Sequence, residues 1–235
     1  MNASPELKKN NKFEIQKIYI ENEQTELIVN FLEQLTIDSN KVELGKGANG
    51  VVHAFGDNRF GDFCLKKVHK LPKMKILSIE EEHQYQEEVY KLGIATPRTL
   101  MTVLNHETKE EFFIMERIDG YSIFDTLSDK TLLPEAFNYN QFFTKLTDQV
   151  SKLHENRIHH RDLHAGNVMI DSDGNPVIID FGSAGKQYIS DEDIYLFECR
   201  KLVDEFKGIY KTIEQKVNTD EENIKVLKEK MSHLR

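Results

Sequence analysis

Cysteine is nearly absent: Cys64 and Cys199 are the only two in 235 residues. They are too few and too far apart for a disulfide framework or a CxxC metal site, and point to a reducing compartment. No stretch approaches the roughly 18 consecutive apolar residues of a membrane helix, so no membrane span is expected. The polar opening, Met1 to Lys12, lacks the apolar core of a signal peptide. The expected site of action is cytoplasmic, and delivery into another cell's cytosol is compatible with the same features. Excess positive charge is missing too. The net charge is −9, which speaks against a general nucleic-acid-coating role because phosphate backbones require a basic face; one local basic cleft remains compatible with it. Internal repeats and low-complexity tracts are absent. What remains is 39% hydrophobic and 30% charged residues, the composition of a globular chain able to bury a core as one domain or two joined lobes.

The chain reads as three parts: an extension over 1–40, a strand-rich part over 41–116 and a mainly helical part over 117–235. In the extension, Phe13, Ile15, Ile18 and Ile20 have mixed spacing and do not decide between strand and helix. Leu27, Ile28, Phe31, Leu32 and Leu35 form one helical stripe. Strands are expected at Val42–Leu44, Val51–Phe55, Phe63–Val68, Thr99–Leu104 and Glu111–Glu116, with a helix over Ser78–Leu92 stopped by Gly93. Further on, Phe142, Phe143, Leu146, Val150 and Leu153 mark a long buried helix. Val168–Ile170 and Val177–Ile179 form a hairpin around Asp171 to Pro176. This acidic turn departs from a calcium loop, because Gly174 is fourth rather than sixth from Asp171 and no glutamate stands at position twelve. Helices are expected over Asp193–Ile213 and again after the capping-box pattern Thr219 to Glu222.

Three motifs carry chemistry. Gly45-Lys-Gly47-Ala-Asn-Gly50 is followed by the β-branched pair Val51-Val52 and another turn. That is strand–turn–strand, not the strand-to-helix setting of a dinucleotide fingerprint. Residues without Cβ let backbone N–H groups approach phosphate oxygens. One hairpin later, Lys66 lies in the apolar strand Phe63-Cys-Leu-Lys66 and needs an anionic partner, which the α- and β-phosphates of ATP would supply; a solvated lysine is the plainer alternative. The third motif is decisive. His160-Arg-Asp162-Leu-His-Ala-Gly-Asn167 precedes Asp180-Phe-Gly182, with strand, turn and strand between. This brings Asp162, Asn167 and Asp180 to one edge of a hairpin. Asn167 and Asp180 offer hard oxygen donors of the kind Mg²⁺ takes, and Asp162 would orient an attacking hydroxyl.

Over roughly Val42 to Phe206 the chain resembles the protein kinase-like superfamily. The resemblance implies an α+β, bilobal fold with a five-stranded N-lobe and a truncated helical C-lobe. It implies ATP and Mg²⁺ as cofactors and a γ-phosphoryl transfer to a hydroxyl, with a serine or threonine of a protein substrate as the expected acceptor. It makes Met115 the gatekeeper of a hinge strand, Phe113 to Ile118, and sets the backbones of Glu116 and Ile118 against adenine. Leu44, Val52, Cys64 and Met169 fall among its nucleotide-contacting positions. His160 and Phe181 fall where the family stacks a regulatory spine. For the helix glutamate that pairs with Lys66, Glu88 is the expectation, because Leu92 stands four residues on. Glu87 and Glu82 are rivals, and Glu82 fits the spacing to Gly93–Pro97 seen in small-molecule kinases of the superfamily.

The departures are as informative. Only 53 residues follow Gly182 and no Ala-Pro-Glu follows the magnesium loop. A compact kinase resembling the RIO group or bacterial effector kinases is therefore expected, one needing no phosphate on an activation segment to engage Arg161. His164 stands where Ser/Thr protein kinases place lysine and where small-molecule kinases often place histidine; the intact His-Arg-Asp leans towards protein substrates. A small-molecule or lipid kinase and a nucleotide-binding pseudokinase scaffold are the alternatives, although a scaffold would have no need to keep Lys66, Asp162, Asn167 and Asp180 together. Zinc binding by His159, His160 and His164 lacks a third ligand type nearby, and Gly182 to Lys186 is too short for a Walker loop. A regulatory partner acting through the terminal helices is compatible with the sequence.

Overall fold

A computed structural model describes residues 13–18, 42–46, 50–54, 63–68 and 77–186. The helices expected over 22–38, 193–213 and beyond 219 lie outside the described residues. The fold is mixed α+β, and the chain divides into two compact units, Met1–Gln84 with Arg98–Arg117, and Tyr85–Pro97 with Ile118–Arg235.

The first unit is built on an antiparallel sheet of six strands: β1 (Phe13–Ile18), β2 (Val42–Lys46), β3 (Gly50–Ala54), β4 (Phe63–Val68), β5 (Thr99–Asn105) and β6 (Glu111–Glu116). Their spatial order is β1-β5-β6-β4-β3-β2. Five strands were expected; the sixth is β1, where the sequence decided nothing. Phe13 and Ile15 point into the core while Gln16 is exposed, the alternation of a half-buried strand. A register shift between Ile15 and Lys17 opposite β5 then breaks that period, so the apolar residues beyond it no longer match the strand pattern. Phe13 and Ile15 join Leu65, Leu100, Met101, Val103, Phe112 and Ile114 in one core. Full burial of each such side chain contributes about 1.5–3 kcal/mol. His106 and Glu14, 2.9 Å apart, add a tie between the strand and the β5–β6 turn. In that turn Asn105 accepts from the backbone N–H groups of Glu107 and Thr108, and Lys109 takes the left-handed conformation.

Helix α1 (Ile79–Lys91) begins with a reciprocal cap. Glu81 N–H donates to Ser78 Oγ, and Ser78 N–H donates to the Glu81 carboxylate. It ends at Gly93, whose φ of 71° closes the last turn. The segment after it is held in the second unit: Ile178 N–H donates to Ala95 O, and Gln86 Nε2 donates to Pro97 O.

The second unit contains a small sheet in the order β7 (Gly120–Ser122), β8 (Val168–Asp171) and β9 (Pro176–Ile178). Helix α2 (Ile123–Ser128) carries a complete capping box between Ser122 and Asp125. Neither β7 nor α2 was foreseen, since at three and six residues both are too short to repeat a period often enough to be read. Helix α3 (Tyr139–Glu155) is the long helix expected; it buries Phe142, Phe143, Leu146, Val150 and Leu153 on one face. Its exposed side grips the hairpin, with Lys145 Nζ donating to Asn175 Oδ1 and Gln149 Nε2 to Pro176 O. The hairpin acid is explained by the turn itself: Asp171 Oδ1 accepts from the N–H groups of Asp173 and Asn175.

Candidate active site

The first unit carries most of the residues expected around a nucleotide, while Ile118 and Met169 belong to the second. Gly45 pairs with Val52 and Lys46 with Val51 across the β2–β3 hairpin, with a register shift between Glu43 and Gly45. The glycine motif thus begins in β2 with Gly45, Gly50 opens β3, and Gly47 lies outside the described residues. Leu44 is exposed on β2. Val52, Cys64 and Met115, from three adjacent strands, pack together with Ile79 of α1. The structure therefore gathers two of the expected adenine-flanking positions, Val52 and Cys64, with the expected gatekeeper Met115. Burial pushes the Cys64 thiol up to about 12, against the weaker opposing influence of Arg117 and Lys66. Its Sγ lies 3.6 Å from the carbonyl of Glu116, whose own N–H donates to Arg98 O. The division between units falls between Arg117 and Ile118.

Lys66 is buried, and its ammonium lies 2.5 Å from Glu82 Oε1, itself fully buried. The expected partner Glu88 is a correction. It bonds instead to Lys186 Nζ at 2.5 Å, in a half-exposed pair. Helix geometry gives the reason. Ile79, Glu82, His83, Gln86 and Val89 form the buried stripe of α1, and Glu88 is turned about 240° from Glu82 around the axis. Leu92, which favoured Glu88, closes the last turn of the helix, its N–H donating to Glu88 O at 3.1 Å, and that backbone bond does not turn the Glu88 side chain towards the buried stripe.

The second unit carries the residues expected around the transferring phosphate. Asn167 Nδ2 donates to the carbonyl of Asp162 at 2.8 Å. Ile179 N–H donates to the carbonyl of Asn167 at 3.0 Å, and Val168 pairs with Ile178. Asp180 is therefore one residue beyond a direct backbone bond to Asn167, and Asp162 is bonded to the Asn167 side chain. All three expected residues meet at one edge of the β8–β9 hairpin. Asp180 and Arg161 both have left-handed backbones, with φ of 63° and 62°; such strain persists where surrounding bonds hold it. Asp180 Oδ1 accepts from Gly182 N–H at 3.3 Å. The residues after it return to the loop before Asp162, where His159 and Gly185 exchange two backbone hydrogen bonds. A Cβ on Gly185 would run into the Arg161 guanidinium. His160 Nε2 lies 2.9 Å from Ile179 O, and its ring packs on Phe181 with centroids 4.8 Å apart.

The donor set fits Mg²⁺. The amide of Asn167 is fixed by its Nδ2 bond, which leaves Oδ1 as the atom it can present, and Asp180 brings a carboxylate. Two hard oxygens with room for water and phosphate are what this ion takes. The three histidines have separate neighbours: His159 packs on His154, His160 on Phe181, and His164 bonds Gly166. Met169 is half-buried on β8, paired with Val177 and Ser122.

The family described as protein kinase domain matches residues 39–206. The chain belongs to the protein kinase family. Similar curated proteins are protein kinases. CBL-interacting protein kinase 21 of Oryza sativa is 27% identical over 155 residues, covering 60% of this chain and 28% of that protein. CBL-interacting protein kinase 1 of the same plant is 30% identical over 134 residues, covering 55% and 28%. A protein described as "Probable serine/threonine-protein kinase KIN1 homolog", of Enterocytozoon bieneusi, is 29% identical over 141 residues, covering 59% and 23%. The matches thus span about a third or less of the curated relatives' length. Within this kinase domain the sequence missed two things. Glu82 was only a rival for Lys66, although its place on the buried stripe would have found it. The Lys186 bonds to Glu88 and to Tyr85, whose hydroxyl accepts the Lys186 N–H, had no sequence signal.

Proposed function

We propose that this kinase transfers the γ-phosphoryl group of ATP to a serine or threonine hydroxyl of a protein substrate, with Mg²⁺ as cofactor. The observation that carries the reading is the bonded set Asp162, Asn167 and Asp180 at one hairpin edge. In this reading Asp162 orients the acceptor hydroxyl and takes its proton, while Lys66, held by Glu82, binds the α- and β-phosphates. Asn167 and Asp180 would hold the metal, which supplies charge neutralisation at the phosphate oxygens. Gly45, Gly47 and Gly50 let backbone N–H groups approach the phosphates. Leu44, Val52, Met115 and Met169 flank adenine, and the backbones of Glu116 and Ile118 bond it. Glu82 takes the place given to Glu88.

Several finer readings belong with it: an N-lobe over 41–116 and a C-lobe over 117–235, a RIO-like or effector-like kinase, action in the cytoplasm, and regulation by a partner at the terminal segments. Among the described residues no helix is long and apolar enough to cross a membrane. A small-molecule kinase is the second reading. It is favoured by the Lys66–Glu82 pair, whose glutamate has the spacing to Gly93–Pro97 noted above, and by His164. Incubation with γ-labelled ATP and, separately, generic proteins, sugars, aminoglycosides and lipids tests the choice. Label on phosphoserine or phosphothreonine supports the proposal; label confined to a small acceptor overturns it for the second reading.

A further inference from the structure

We infer that β1, the strand supplied by residues 13–18, is a positioning element of the nucleotide site: it fixes, through the back of its sheet, the strands that carry Lys66 and Met115. The inference rests on the kinase reading above. It adds two positioning residues, Phe13 and Ile15, from outside the residues 39–206 that the family matches.

The sheet of the first unit lies between two apolar clusters. Cys64 pairs with Met115 across β4 and β6, and the next pair is Leu65 with Ile114. Successive side chains of a strand point to opposite faces. Cys64 and Met115 accordingly pack with Val52 and Ile79, and Lys66, two residues from Cys64, belongs to the same face. Leu65 and Ile114, each 1% exposed, pack on the back with Phe13, Ile15, Val103 and Phe112. Each of those two back residues is thus the chain neighbour of side chains assigned to the nucleotide. Leu65 stands between Cys64 and Lys66, and Ile114 precedes Met115.

Strand β1 closes the back cluster at the sheet edge. Ile15 stands opposite Val103, Val103 opposite Phe112, and Phe112 opposite Lys67, so one cross-strand row runs from the extension to the residue after Lys66. Phe13 and Ile15 are both 3% exposed. An interior packed to this degree transmits a change of volume. Removing the Phe13 ring leaves a cavity into which the surroundings relax only in part. The strands that relax are those whose other face sets Cys64, Lys66 and Met115. Binding geometry has to be held to within about 0.5 Å, so a shift of that size on the back is felt by the nucleotide.

The test is calorimetric binding of a non-hydrolysable Mg·ATP analogue to the full chain, at a temperature where each variant is folded by circular dichroism. Phe13→Ala should raise Kd roughly fivefold or more and lower Tm. Phe13→Leu keeps most of the volume and should bind close to wild type. Ile15→Val removes a single methylene and should raise Kd by less than F13A. Phe142→Ala is the control. It takes the same side chain, 1% exposed, from the core of the second unit, and should lower Tm with Kd unchanged. A strand that serves stability alone would lower Tm in F13A and leave Kd at the wild-type value. That result, or an equal rise of Kd in F142A, would overturn the inference alone. Should F13A fail to fold, I15V decides: a raised Kd supports the inference, and a lowered Tm with unchanged Kd overturns it. Wild-type protein that binds no Mg·ATP analogue would overturn the kinase reading and this inference with it.

Discussion

Replacing Glu82 with glutamine removes one charge and almost no volume. It leaves the buried Lys66 ammonium, 4% exposed, with a neutral amide in place of the Glu82 carboxylate. Breaking a buried pair by removing one partner costs about 3–5 kcal/mol. The glutamine carbonyl can still accept from Lys66, which sets the expectation at the lower end, about 3 kcal/mol. For a chain of this size that is a fall in melting temperature of roughly 6–12 °C. Glu88→Gln is the control. Its pair with Lys186 is 41% and 48% exposed, and such surface pairs contribute only about 0–1 kcal/mol. Thermal denaturation of both variants, followed by circular dichroism, compares them directly, with phosphate transfer measured alongside. E82Q should be markedly destabilised and slow, E88Q close to wild type in both. If E88Q were the more damaging change, the assignment of Glu82 to Lys66 would be wrong, and with it the account of which face α1 buries. Lys66→Met combined with Glu82→Leu sharpens the point: it should restore much of the stability lost in E82Q while leaving transfer abolished.

The raised thiol of Cys64 gives a pH prediction. The folded state keeps the proton to about 12 against 9.0 for the free group. Between those values the native state binds more protons than the unfolded chain, so this contribution is fully present below pH 9 and is lost as pH rises towards 12. Peptide-resolved alkylation at pH 8 should label Cys64 far more slowly in native protein than in urea; equal rates would contradict its burial. Gly120→Ala should lower the urea midpoint, because a Cβ there meets the backbone of Ile170 and Asp171, and such overpacking costs about 1–3 kcal/mol. An unchanged midpoint would contradict that close approach. Phosphatase treatment should leave transfer activity intact, since Lys186 is held by Tyr85 and Glu88 through bonds that need no phosphate; activity lost on treatment would refute this.

Much of the candidate site was legible because its signals are local. His160 to Asn167 and Asp180 to Gly182 flank a hairpin whose turn is written in Asp171, Gly174 and Pro176, and register alone brings their ends together. Helix α3 was legible from one stripe. Three things were not. The bulge in β1 broke the period that would have revealed a sixth strand. Glu80, Glu81, Glu82, Glu87 and Glu88 crowd one helix, and choosing among them needs its buried face, which depends on what packs against it. The short elements between Arg117 and Tyr139 are defined by caps and by pairing with β8, more than forty residues away, rather than by any period of their own.

The direct measurement is γ-phosphate transfer from Mg·ATP by wild type, Asp162→Ala and Asp180→Ala, with nucleotide binding followed separately. Asp162→Ala should bind ATP as wild type does while transfer falls at least about a hundredfold, and Asp180→Ala should lose the Mg²⁺ dependence of binding as well as transfer. Transfer at the wild-type rate by either folded variant would contradict the claim that these side chains share one reaction centre.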